Sequence, residues 1–77
     1  MKEQKHQQEL GHHEAAAEHY EKAAEHHRTA AEHLEQGESE AAAMHAHLAY
    51  GHALQGHEQA ANATKQYVES QEDVIAD

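Results

Sequence analysis

Small apolar and polar residues recur along this chain with a seven-residue period. Residues 11–38, "GHHEAAAEHYEKAAEHHRTAAEHLEQGE", divide into GHHEAAA, EHYEKAA, EHHRTAA and EHLEQGE, four versions of one unit. With Leu10 at heptad position a, that position holds Leu10, Ala17, Ala24 and Ala31, and position d holds His13, Tyr20, His27 and Leu34. Position g adds Ala16, Ala23 and Ala30, while Glu18, Glu25 and Glu32 fill position b. The period predicts an amphipathic helix over about residues 3–36, with a seam of alanine punctuated by larger groups. A seam of small residues lets a second helix come to the close end of the usual spacing, roughly 8–10 Å between axes.

A stop and a restart follow. Gly37 suits the left-handed residue that ends a helix, and Ser39 suits an N-cap with acidic neighbours at the positive end of the next dipole. The pattern predicts a turn at residues 37–38 and a second helix over about 39–71. Residues 72–77 are a tail that frays or continues, in which Val74 and Ile75 would close the end of a bundle. The second helix has two small columns, one of Ala42, Ala49, Gly56 and Ala63, the other of Ala46, Ala53 and Ala60. Gly51 and Gly56 each cost a helix about 1 kcal/mol relative to alanine, a loss that close contact would offset. Leu48, Tyr50 and Leu54 lie off the small face, leaving more apolar surface than one neighbour covers. The expected fold is all-α, a single antiparallel two-helix hairpin domain over residues 1–77, dimerising into a four-helix bundle.

Composition strengthens the expectation of a homodimer. There is no Phe, Trp, Pro or Cys, and the large apolar side chains are Leu10, Leu34, Met44, Leu48, Leu54, Val68, Val74 and Ile75, with three tyrosines. So few groups make a poor core for a chain of 77 residues, a size at which single cores become marginal. The formal charge of −10 offers no basic patch for nucleic acid. No apolar run approaches a membrane span, and "MKEQKHQQEL" lacks the apolar centre of a signal peptide, so the default localisation is cytoplasmic.

The stretch "HYEKAAEHHRTAAEHLEQGESEAAAMHAHLAYGHA" resembles the short His/Ala/Glu-rich helical-hairpin proteins of bacteria, most of them without assigned function. The resemblance covers about residues 11–60 and rests on composition and heptads; it implies a helical chain and no particular activity. "EQGESEAAAMHAHLA" is also similar to tetratricopeptide hairpins, but their longer consensus is missing and the first helix is too long for such a repeat.

The eleven histidines are the chemical anomaly. His12, His19, His26 and His33 fill heptad position c, with successive members about 10.5 Å apart along the axis and drifting roughly 20° per heptad. Two of them cannot share one ion. Chelation within a helix uses neighbours three or four residues apart, and no two histidines here have either spacing. This column reads as a solvated face with weak metal uptake. The Glu3/His6 and Glu9/His12 pairs have the E-x-x-H spacing of di-iron bundles, but the second helix has no such motif to complete a site.

Interhelical ligation remains. In a hairpin turning at Gly37, facing residues have numbers summing to about 76, which sets His27 near residue 49, between His45 and His52. These three are the seam candidates: His27 with either His45 or His52 would supply two imidazoles, and a symmetric dimer would double that to four. Imidazole nitrogens suit a zinc ion in tetrahedral geometry, and copper(II) or nickel in tetragonal geometry. The three tyrosines and Met44 read as packing groups. Neither a nucleophile arrangement nor a glycine-rich phosphate loop is present, which points away from an enzyme.

The leading expectation is a non-enzymatic protein that binds or sequesters divalent transition metal through interhelical imidazoles. The alternative is a structural or protein-interaction module whose histidines serve packing and the surface. It would respond to pH, because protonating all the histidines takes the formal charge from −10 to about +1.

Overall fold

In the computed structural model, which describes the backbone of residues 2–76 and the side chains of residues 6–72, two helices lie against each other. Helix α1 runs Lys2–Glu35 and α2 runs Ser39–Ala76, and no strand occurs among the described residues. The helix continues past residue 71 instead of stopping there. The side chains of Val74 and Ile75, expected to close the bundle, lie outside the described residues. The Cα envelope measures 61 × 14 × 11 Å, the shape of a bare hairpin.

The turn is built by glycine. Gly37 has φ of 78°, in the left-handed region where a Cβ is penalised. That geometry turns the Glu38 N–H back to the His33 carbonyl at 2.8 Å and the Gly37 N–H to the Leu34 carbonyl at 3.0 Å, satisfying two of the last carbonyls of α1. The Ala42 N–H then donates to the Glu38 carbonyl at 3.0 Å. Glu38 is thus the residue that opens α2, and Ser39, expected as the N-cap, is already its first helical residue.

The core is alanine. The buried apolar residues are Ala16, Ala23 and Ala30 of α1 against Ala42, Ala49 and Ala63 of α2, joined by buried Gly56. The small α2 column expected at residues 42–63 is therefore the packed one. On α1 the packed column is g, not a: Ala17 and Ala31 are exposed, as are Leu10, His13, His27 and Leu34. The seam has rotated by one residue, about 100°. The reason is steric. Two adjacent alanine columns compete on α1, and the g column contains only alanine over the packed length, whereas the a/d pair carries Leu10, Tyr20 and Leu34.

That rotation changes the fate of the large side chains. Met44, expected in the core, is 54% exposed, and Leu48, Leu54 and Val68 are exposed too. Two helices in contact cover one stripe on each other, and here the stripe is made of methyl groups and imidazoles.

Candidate functional site

Each packed alanine column has a second seam column three residues on. On α1 it is His12, His19, His26 and His33; on α2 it is Glu38, His45, His52 and Gln59. The two columns meet rung by rung. His12 Nδ1–H donates to Gln59 Oε1 at 2.8 Å, and His33 Nδ1–H donates to Glu38 Oε1 at 2.9 Å. Between these end rungs lie two pairs of imidazoles. Nδ1 of His19 is 3.3 Å from Nδ1 of His52, and Nδ1 of His26 is 3.0 Å from Nδ1 of His45. Every rung joins residues whose numbers sum to 71, not to the value near 76 expected of a turn centred on Gly37, so the register of α2 is shifted by five residues from that expectation.

The rings also stack from one rung to the next. Centroids of His33 and His45 are 5.4 Å apart with 12° between planes, and those of His26 and His52 are 5.7 Å apart with 8°. Within the rungs, His26 and His45 stand at 5.3 Å and His19 and His52 at 5.6 Å. Five imidazoles thus form one continuous zigzag, His33–His45–His26–His52–His19, along the seam. All five are half-buried.

A neutral imidazole carries one N–H, so with Nδ1–H on one ring of a rung and a bare Nδ1 on the other, the contact is a hydrogen bond.

The expected trio of His27, His45 and His52 is not assembled. His27 is exposed and makes no hydrogen bond, ion pair or ring contact among the described residues, whereas His45 and His52 take their partners from the neighbouring column. One step of sequence, from 26 to 27, carries a side chain about 100° around the helix and out of the seam. The column expected to be a solvated face, His12, His19, His26 and His33, is half-buried and forms one side of the ladder.

Outside the ladder, His13 lies 3.8 Å from Glu9 on the surface of α1. The Tyr20 hydroxyl is hydrogen-bonded to Nδ1 of His57 at 3.1 Å, and the Tyr20 ring lies across Gly56. A Cβ at Gly56 would stand 2.7 Å from Cε1 of that ring, so the close contact expected to justify a glycine exists here. At Gly51 a Cβ would meet nothing within 4 Å, and no such justification exists. Gly51 lies beside a shallow open groove of about 440 Å³ on α2, bordered by Leu48, Leu54 and the rim of His52.

Among the described residues, no group of three or more His, Asp or Glu side chains converges as a metal cage. No described helix is long and apolar enough to cross a membrane. Comparison with protein-family models gave no match, and comparisons with curated proteins and with solved structures gave none either.

Proposed function

We propose that this hairpin is a non-enzymatic, cytoplasmic metal-binding protein that takes up divalent transition metal at the two imidazole rungs of its ladder. The observation that carries the reading is the pair of Nδ1···Nδ1 separations, 3.3 Å at His19/His52 and 3.0 Å at His26/His45. Two nitrogens bound about 2.0–2.1 Å from one ion stand about 3.3 Å apart at a tetrahedral angle and about 2.9 Å apart at a right angle. Both rungs fall in this window. Zinc fits the tetrahedral case, and copper(II) or nickel the tetragonal one.

Entry of the ion replaces the proton between the rings. The donor ring moves its proton from Nδ1 to Nε2, and both Nδ1 lone pairs then face the metal. Water completes the coordination, since each rung supplies two protein ligands. Such partial sites favour exchange over permanent retention, which suits buffering. Kinship with the short His/Ala/Glu-rich helical proteins of bacteria and pairing of two hairpins in a four-helix bundle belong to the same proposal.

Calorimetric titration of the metal-free protein with zinc, nickel and copper(II) at pH 7.5 tests it. Saturable binding at micromolar or tighter affinity is expected, with a rise in Tm; free metal at a hundred times Kd adds about 2.7 kcal/mol of stability. His26→Ala weakens that binding and His27→Ala leaves it unchanged. A flat titration and an unmoved Tm contradict the proposal.

A second reading has its own support. Both imidazole rungs are satisfied as hydrogen bonds without any ion, as a packing zipper within an interaction module would be. The same titration separates the two, because a zipper gains no stability from metal.

A further inference from the structure

The hairpin presents one broad face with no formal charge. Because Tyr20 of α1 touches Gly56 and bonds to His57 of α2, the flank of α1 that carries Tyr20 and the flank of α2 that carries His57 lie on the same side of the seam. On α1 this flank consists of the two columns that begin at Leu10 and His13, the ones whose pattern alone suggested a seam. On α2 it consists of the columns through residues 43–64 and 46–67 at seven-residue steps. Across all four columns there is no Asp, Glu, Lys or Arg. Alanines make the floor, and Leu10, Tyr20, Leu34, Tyr50 and Tyr67 stand exposed on it. The backs of the two helices are charged, with Glu18, Glu25 and Glu32 on α1 and Glu58 on α2, and Glu14, Glu21, Arg28 and Glu35 border the face on α1, all exposed.

We infer that this uncharged face is the surface through which two copies of the chain pair, back to back about a two-fold axis. The inference rests on the proposed pairing of hairpins and names the face that performs it. Area supports a second copy. A compact monomer of 8.6 kDa exposes about 4,700 Å². The hairpin exposes 5651 Å², an excess of about 950 Å² over that value. A standard stable interface removes about 800 Å² from each partner. Residues 10–34 give the face a length of roughly 36 Å, so a footprint of that size fits on it.

Charge supports a second copy of the same chain. Each copy carries a formal −10, so any self-pairing that brings carboxylates together is repelled. The uncharged flank can be laid on itself with the bordering carboxylates kept at the solvated rim. Its alanine floor also permits close approach of helix axes, as the alanine seam does inside the hairpin. The product is a four-helix bundle with two kinds of seam, imidazole and alanine within each hairpin, and tyrosine, leucine and alanine between hairpins.

The experiment is sedimentation equilibrium of the full chain without metal, on wild type and three variants. Leu34→Glu and Tyr50→Glu place a carboxylate on the face, at side chains each 61% exposed in the hairpin. Leu48→Glu places one at an exposed position on the other flank of α2. Wild type is expected at twice the 8.6 kDa chain mass, with at least tenfold weaker association for Leu34→Glu and Tyr50→Glu and little change for Leu48→Glu. A wild-type dimer broken by Leu48→Glu and not by the other two overturns the face while leaving the pairing. A wild-type monomer overturns the pairing itself. Should the face variants unfold on dissociation, thiol alkylation of Tyr50→Cys and Leu48→Cys in this cysteine-free chain decides. Protection confined to Tyr50→Cys, lost on dilution, supports the face. Equal reactivity of both thiols overturns it.

Discussion

At the scale of single residues, a histidine's role here is set by its angle around the helix. His26 and His27 are neighbours in sequence, yet one closes a rung against His45 and the other is exposed. The glycines give a residue-scale prediction. Gly51→Ala has open space for its methyl and should raise stability by about 1 kcal/mol in urea unfolding. Gly56→Ala should not reach that gain, because its methyl displaces the Tyr20 ring and disturbs the bond to His57. Equal gains at the two positions would show that the Tyr20 contact is energetically empty.

At the scale of the helices, the turn and the seam register are one construction. Gly37 at φ 78° sets where α1 ends, and the rung from His33 to Glu38 spans that turn, so the cap and the first rung fix the register of every rung that follows. Gly37→Ala forces a Cβ into the left-handed region and should cost about 1–2 kcal/mol, measured as a lower urea midpoint with unchanged slope. No loss would mean that the turn relaxes by another route. Two helices, their junction at Gly37 and the packed column at Ala42, Ala49, Gly56 and Ala63 were legible in the sequence because periodicity and a glycine stop have direct local causes. The choice of column on α1 was not. The a and g columns are both alanine through residues 16–31, and periodicity alone cannot rank two equal stripes. The usable signal lay in the next column over. His12, His19, His26 and His33 share their seven-residue step with Glu38, His45, His52 and Gln59, and two columns of polar groups in matching antiparallel register are what a polar seam requires.

At the scale of the whole molecule, a core of alanines and half-buried imidazoles leaves the leucines and tyrosines outside, so the stability of the isolated hairpin and that of its assembly are linked. If pairing covers the uncharged face, Tm of the wild type should rise with protein concentration, and Leu34→Glu should abolish that rise. A concentration-independent wild-type Tm would place the hairpin's stability in the single chain. Periodicity could not decide whether the a/d columns of α1 face the partner helix or another molecule, since either location demands the same small and apolar residues. The imidazole ladder underlies the metal reading. Its most direct test is a pair of double-mutant cycles in urea unfolding, His26→Ala with His45→Ala and His27→Ala with His45→Ala. A coupling of about 1 kcal/mol in the first pair, with additivity within about 0.5 kcal/mol in the second, is expected of a seam that runs through His26. Additivity between His26 and His45, with coupling between His27 and His45 in its place, would contradict the ladder and return the seam to the a/d columns.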